Sequence, residues 1–254
     1  MDVRPPRAAR RVSAAWHALA TGDPGRPPVD PAVVAALPDP ARRWLTRAAA
    51  PGLPARDTVV LAMHGRIRVG RWCPFTARQV IAARRGYVWA ANPRLGPFPM
   101  QGYDLYADGA GAMRWRLAGV VPVVTADGAD VSRSAAGRLA AEIVLTPAAA
   151  LGPGVRWEPV DAERAVARVT VTGTGAEHPV TVEVDPAGAL RSVRLPRWGD
   201  PAGRGYAEHE FVVRCAGEHQ ADGYRLPARF TAGWTVEGAV VPFFEAEVDA
   251  ATFR

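Results

Sequence analysis

No lysine occurs in this sequence: all 31 basic side chains are arginine, set against 25 acidic ones for a formal charge of +6. A charge of that sign raises nucleic acid or an anionic membrane as partners. The distribution argues otherwise. The arginines are spread along the chain and interleaved with acids, as at Arg156–Glu158, Glu163–Arg164 and Arg225–Glu237, rather than gathered in a block. Isoleucine and asparagine are scarce while alanine, glycine and proline abound, the composition of a GC-rich coding sequence. Scattered, solvated arginine without a nucleic-acid face is the expectation.

Cysteine is nearly absent too. Cys73 and Cys215 show no C-x-x-C spacing and read as buried or half-buried thiols, with a disulfide between them left open. The five histidines, His17, His64, His178, His209 and His219, match neither H-x-H nor H-E-x-x-H, and no cysteine joins them in a cluster. Gly109–Gly111 and Gly173–Gly175 read as hairpin turns, since neither forms a phosphate-cradling loop that opens a helix. There is no G-x-S-x-G nucleophile elbow. A chain without cofactor or metal is expected. No run approaches the ~20 apolar residues of a spanning helix. Residues 1–11 are basic, but Ser13 and His17 interrupt the stretch that follows, which makes a poor signal peptide. The expected location is cytoplasmic.

With 48% hydrophobic residues in 254, the chain can bury a large core, and β folds of this length often stay undivided. Val12, Ala15, Trp16 and Leu19 lie at helical spacing, and residues 21–31 form a Gly/Pro-rich connector. A second helix is signalled by Asp39 as N-cap and Pro40, with Trp44, Leu45 and Ala48 as its stripe and Pro51-Gly52-Leu53-Pro54 as its stop. From Asp57 the period becomes two: Val59, Leu61 and Met63, then Ile67 and Val69. Further strands are expected near 75–84, 86–91, 102–107 and 112–118. Asp130 or Ser132 can then cap a helix carrying Ala136, Leu139, Ala140 and Ile143. Strands resume over 164–172, 180–184, 206–216, 224–234 and 240–248, joined by short turns that force antiparallel neighbours.

These signals predict a mainly β, α+β fold: a curved antiparallel sheet or half-barrel of about ten strands around a central helix, with two short N-terminal helices. Residues 1–55 are expected as a helical segment packed on the sheet, and residues 56–254 as the half-barrel with an inserted helix at 130–151. Such a sheet encloses an apolar concavity where its inner face is not plugged.

Gly102-Tyr103-Asp104, Gly109-x-Gly111-x-Met113, Leu139-x-x-Glu142 with Pro147 five residues on, and then Trp157, Asp161, Pro227 and Trp234 together resemble an uncharacterised bacterial family of unknown function, over roughly residues 35–254. At the level of fold the chain also resembles, more loosely, the lipoprotein carriers, open antiparallel half-barrels with helices plugging an apolar cavity. The resemblance implies such a cavity and brings no activity with it. At Val144-Leu145-Thr146 the chain departs from the pattern, which would place an aromatic residue between the acid and the proline.

Four residues are candidates for chemistry. Glu142 borders the apolar helix face of Leu139 and Ile143, where desolvation would raise its pKa and suit it to general acid or base work; its plainer reading is an ion pair with a strand arginine or a solvated edge position. Asp104 and Tyr106 share one strand face as a phenol–carboxylate pair, while Tyr103 or Asp104, not both, can face the concavity. The plainer reading of Asp104 is a turn carboxylate bonded to backbone. His209 lies on the apolar face of Phe211, Val213 and Cys215, more often a core position than a base. Trp72, Trp89, Tyr103, Trp115, Trp157 and Trp234 suit either core or the lining of a ligand cavity.

Three functions fit. The cavity could bind a hydrophobic small molecule and act on it as a cofactor-independent cyclase, isomerase or lyase. It could hold a lipid or other apolar ligand without reaction. Or it could be plugged by its own side chains in an interaction domain. Ligand binding is common to the first two and is carried forward. Elemental analysis of the purified protein is expected to find no stoichiometric metal; one tightly held zinc or iron per chain would refute the reading of the histidines and cysteines.

Overall fold

A computed structural model describes residues 2–22, 27–50 and 52–254. Met1, residues 23–26 of the Gly/Pro-rich connector and the helix stop at Pro51 lie outside the described residues. One sheet of thirteen antiparallel strands dominates the chain. Its first six strands are β1 (Thr58–Val69), β2 (Arg71–Ala82), β3 (Gly86–Leu95), β4 (Phe98–Ala107), β5 (Ala110–Leu117) and β6 (Val121–Asp127). The other seven are β7 (Val155–Pro159), β8 (Arg164–Thr170), β9 (Glu177–Val184), β10 (Leu190–Gly199), β11 (Ala207–Ala221), β12 (Tyr224–Val236) and β13 (Ala239–Phe253).

The strand order is β6-β5-β4-β3-β2-β1-β13-β12-β11-β10-β9-β8-β7. Every pairing joins chain neighbours except β1 with β13, the seam between two meanders. The turns at Asp108-Gly109, Asp222-Gly223 and Glu237-Gly238 carry positive φ at both central residues, the geometry that matches strand twist in a two-residue hairpin.

The expected antiparallel, mainly β architecture is present, with thirteen strands instead of about ten. β6, β7 and β10 escaped the periodicity. β6 is an exposed edge with consecutive valines and Pro122, and β7 is a five-residue edge ending in Pro159. In β10, pairing with β9 stops at Arg194, so Pro196 sits where β10 bonds on the β11 side alone. β6 and β7 bury little on either face, so neither carries an apolar alternation to read.

β6 and β7 are the two ends of the sheet, so the chain between them must cross a whole face. It does so as α4 (Ala129–Ala141), the fourth α-helix of the chain, followed by 3₁₀ turns at Glu142–Leu145 and Pro147–Leu151. The single helix expected over 130–151 is therefore three short pieces. α4 packs against β4, β5 and β6 from one limb of the sheet and β9 and β10 from the other, which bends the sheet into an open half-barrel. At one end the limbs meet: the Tyr106 hydroxyl donates to the Thr172 carbonyl at 2.9 Å.

Neither Asp130 nor Ser132 caps α4, whose N-cap position is Gly128. The Asp130 carboxylate instead accepts from Trp198 Nε1 at 2.8 Å, and Ser132 Oγ accepts from the Gly111 amide at 2.9 Å. That last bond needs a bare backbone at position 111. A Cβ there would stand 2.8 Å from Ser132 Cα and from the Val131 carbonyl oxygen.

The other helices divide between the two faces. After a 3₁₀ turn at Arg7–Val12, α1 (Ser13–Ala20) lies on the convex face, its Trp16 and Leu19 packed with Val60, Val80, Val88, Ala90 and Tyr103. α2 (Pro31–Ala35) leads into α3 (Asp39–Ala48), whose Trp44, Leu45 and Ala48 join the concave core with Val169, Val180 and Val182. Asp39 does not cap α3 but pairs with Arg42 and Arg43 one turn on. Among the described residues, no helix is long and apolar enough to cross a membrane.

Gly111→Val should lift α4 from β5 and cost about 1–3 kcal/mol, a fall of several degrees in Tm at this chain length. A circular-dichroism melt checks it, and an unchanged Tm would mean that α4 is not held by this contact.

Candidate functional site

The concave face is not filled. A chamber of about 430 Å³ lies between α4 and the sheet. One wall is apolar: β10 to β13 present Val193, Phe211, Val213, Phe230, Ala232, Trp234, Phe243 and Phe244. Phe243 and Phe244 are adjacent in sequence yet both line it, because β13 bulges there: Ala232 pairs with Phe244 and Gly233 with Pro242, leaving Phe243 as the extra residue. A larger cleft of about 660 Å³ opens on the surface beside α3 and the β11–β12 turn. It lacks apolar enclosure, and its arginines Arg42 and Arg47 already pair with Asp39 and Glu218.

The opposite wall carries a polar cluster built on Arg138 of α4. Its Nε donates to Glu142 Oε1 at 2.8 Å, one helical turn on, and its Nη1 to Asp104 Oδ2 on β4 at 3.3 Å. Gln79 Nε2 donates to Glu142 Oε2 and Trp115 Nε1 to Asp104 Oδ1, each at 2.9 Å. All four carboxylate oxygens are thus engaged. Trp115 reaches Asp104 by lying across Gly102, where a Cβ would come within 2.5 Å of the indole ring. Arg138 also stacks over Tyr87 at 4.5 Å.

Burial sets the electrostatics. Desolvation raises the Asp104 pKa, against the opposing pull of Arg138 and the Trp115 hydrogen bond. Desolvation also disfavours charge on Arg138, but Glu142, Tyr87 and Asp104 outweigh it and hold the guanidinium above its usual range. Arg197 of β10 is the contrast. Burial, aided by the neighbouring Arg138, pushes it down to about 10, so it is still charged at neutrality. Burial pushes the Cys215 thiol, also in the lining, up to about 12.

Of the residues singled out from sequence, Glu142, Asp104, Trp89 and Trp234 come together around the chamber. Trp115 stands behind Asp104 as its donor. Glu142 does pair with an arginine, but one on its own helix rather than on a strand. The others lie elsewhere. Tyr103 faces the convex side beneath α1, since Asp104 takes the inward position and consecutive strand residues alternate. Tyr106 shares the face of Asp104 but spends its hydroxyl on Thr172, so it is no proton-transfer partner. His209 shares the face of Phe211 but sits beyond the lining, edge-on to Trp234 at 6.3 Å. Trp72 meets Arg66 on a separate surface, and Trp157 packs on Trp44 while donating to the Ala150 carbonyl at 2.9 Å. The motif residue Asp161 forms a turn, accepting from the Glu163 and Arg164 amides. Both cysteines are free and buried, and among the described residues no group of histidine, cysteine or carboxylate side chains is placed to hold a metal.

Sequence reasoning missed Arg138, Arg197 and the paired phenylalanines. Arg138 carried a signal in its i,i+4 spacing to Glu142. Arg197 carried none, because β10 itself went unrecognised.

A family model described as "Family of unknown function (DUF6544)" matches residues 27–246. No curated protein matches the chain. Among solved structures, a LolA superfamily protein from Nitrosomonas europaea is similar at 10% identity and TM-score 0.42, over 85% of this chain and 92% of that one. A DUF1329 family protein from Desulfovibrio piger is similar at 11% identity and TM-score 0.43, over 89% and 94%. A domain from Vibrio parahaemolyticus, provisionally described as an outer membrane lipoprotein-sorting protein, is similar at 11% identity and TM-score 0.44, over 78% and 85%.

The raised pKa of Asp104 has a consequence for stability. Above the 3.8 of an unperturbed side chain, the folded protein holds a proton that the unfolded chain releases. The stabilisation from that proton is fully present below the unfolded value and is lost as pH rises through the folded one. Asp104→Asn keeps the shape and cannot titrate. Wild-type unfolding free energy, taken relative to this variant by urea denaturation, should therefore fall as pH rises from ~4 toward neutrality. A difference that stayed flat or rose would make Asp104 an ordinary ion-paired carboxylate.

Proposed function

The chain belongs to this family of unknown function, and we propose that its chamber holds an apolar small molecule or a lipid chain without reacting with it. One observation carries the reading: a void of about 430 Å³ walled by phenylalanine, valine and tryptophan. Protein interiors pack as densely as organic crystals and leave few voids larger than a water molecule. A space of this size falls in the range of small-molecule sites, which are concave and mostly apolar with a few placed polar groups. Left to water, the walls would keep aromatic surface wet; an apolar guest would release that water at roughly 25 cal/mol per Å² covered.

The polar wall supports holding over catalysis. A general acid or base must reach the substrate with an oxygen or nitrogen free to exchange a proton. Both oxygens of Asp104 and of Glu142 already accept hydrogen bonds, three of the four donors being Arg138 and Gln79 groups locked in the same cluster. The cyclase, isomerase or lyase reading draws no support from that arrangement, and the carrier alternative is the better fit.

Titration with N-phenyl-1-naphthylamine, a neutral fluorescent hydrophobe, tests the reading. The protein is expected to bind it saturably, one per chain. Val213 is half-buried and lines the chamber, so Val213→Trp should fill the space and weaken binding tenfold or more with Tm within a few degrees of wild type. No saturable binding, or undiminished binding by the folded variant, would overturn it.

A further inference from the structure

We infer that the natural occupant of the chamber is an amphiphile with a single carboxylate head, received by the guanidinium of Arg197. The inference rests on the apolar-ligand reading above and specifies its ligand class.

The case begins with two half-buried arginines of the chamber lining, which are treated differently. Arg138 is neutralised twice, by Glu142 at 2.8 Å and Asp104 at 3.3 Å. Arg197 makes no ion pair among the described residues, although Glu142 and Asp104 lie near enough to favour its charge. Its Nε donates to the Ser134 carbonyl at 3.0 Å, and Nη2 makes a long contact of 3.4 Å to Ser134 Oγ. Its guanidinium carbon lies 4.7 Å from the Phe211 ring and 5.1 Å from the Trp234 ring, which are in edge contact with each other. A cation taken out of water costs several kcal/mol unless an anion answers it. Proximity to aromatic rings returns part of that cost. Among the described residues, Nη1 has no acceptor.

A second donor is unanswered. Trp89, on β3, lines the same chamber with its indole N–H buried and without a hydrogen-bond partner. Buried N–H groups are paired in the large majority of cases. Each oxygen of Asp104 and Glu142 already accepts a hydrogen bond, and none accepts from Arg197 or Trp89. An anionic acceptor within reach of these two donors is what the chamber lacks.

Arg197 offers one guanidinium without an ion pair of its own, so one carboxylate suffices to pair it, whereas a dianion would bring surplus negative charge to a chamber that already holds Asp104 and Glu142. A carboxylate matches a guanidinium geometrically as well as electrically. The rest of the ligand is apolar, because Val213, Phe230, Phe243 and Phe244 offer it no hydrogen bond.

Binding of cis-parinaric acid and of its methyl ester, followed by fluorescence, tests the assignment, with N-phenyl-1-naphthylamine as the neutral control. Wild type should prefer the acid by about ten- to hundredfold, the range of a hydrogen bond to a charged group. Arg197→Met keeps part of the side chain's length and apolar packing, and should erase that preference, so that acid and ester bind alike. Arg197→Lys retains the charge and should restore part of it. If the neutral probe binds but wild type takes acid and ester equally, the carboxylate inference fails and the chamber reading stands; this comparison needs no variant to fold. A preference undiminished in Arg197→Met places the anion elsewhere and overturns the role of Arg197. Displacement of parinaric acid by lysophosphatidylglycerol, a singly charged phosphodiester, more effectively than by oleate would overturn the choice of carboxylate. Failure of all three probes on wild type would sink the ligand reading itself.

Discussion

The connection from β6 to β7 governs this molecule. Those strands are the two outer edges of a thirteen-stranded sheet, so the residues between them have no short route. A sheet with one wet face would leave them a long exposed crossing; bending the sheet lets them cross inside it. The crossing segment is suited to that place: α4 shows buried Val131, Ala135, Ala136, Leu139 and Ala140 to both limbs. Small residues on the helix allow close approach, most plainly where Ser132 and Val131 rest on the bare backbone of Gly111. Beyond α4 the chain tightens into 3₁₀ turns with Pro147 at the start of the second, and these fill the other end of the trough with Ala148, Ala149 and Ala150. The chamber is the space left between α4 and the sheet, with Val131, Ser134, Ala135, Arg138 and Ala141 of the helix in its lining.

The same crossing explains the charges. A helix laid across a concave sheet must place some of its polar residues against strands, and each then needs a partner on those strands. Arg138 finds Asp104 on β4 and Glu142 a turn away, and Glu142 finds Gln79 on β2. These bonds tie the helix to one limb. Arg197, from β10 on the other limb, reaches the helix backbone at Ser134 and ties the second limb to it. The two arginines therefore have matching structural roles and different electrostatic ones, since one is paired directly with carboxylates and the other feels them only at a distance. That asymmetry gives the chamber its polarity: a cationic point beside aromatic rings, across from a cluster that carries the carboxylates.

Several residues shared with the family pattern owe their place to architecture. Gly102 makes room for Trp115, which orients Asp104; Gly111 seats α4; Trp157 packs on Trp44 of α3; Asp161 closes a turn. The contacts of each account for its position without any ligand.

From the sequence alone, period-two runs, helical stripes and turn pairs such as Asp222-Gly223 determined the antiparallel class, the helical start and the helix that interrupts the strands, because these depend on local sterics and on which side of an element is apolar. The same alternation determined that Asp104 and Tyr106 share a face and that Tyr103 cannot share it. Only the tertiary structure decided which faces enclose space. Whether Trp157 or Trp234 meets the chamber depends on how far α4 and α3 extend along the trough, a matter of three-dimensional distance that no spacing in the chain encodes. The bulge that turns both Phe243 and Phe244 toward the chamber breaks the period by which strand faces are read. Arg197 could not be found at all, since its meaning lies in a missing partner, and an ion pair left unmade is visible only when every charge has its place in space.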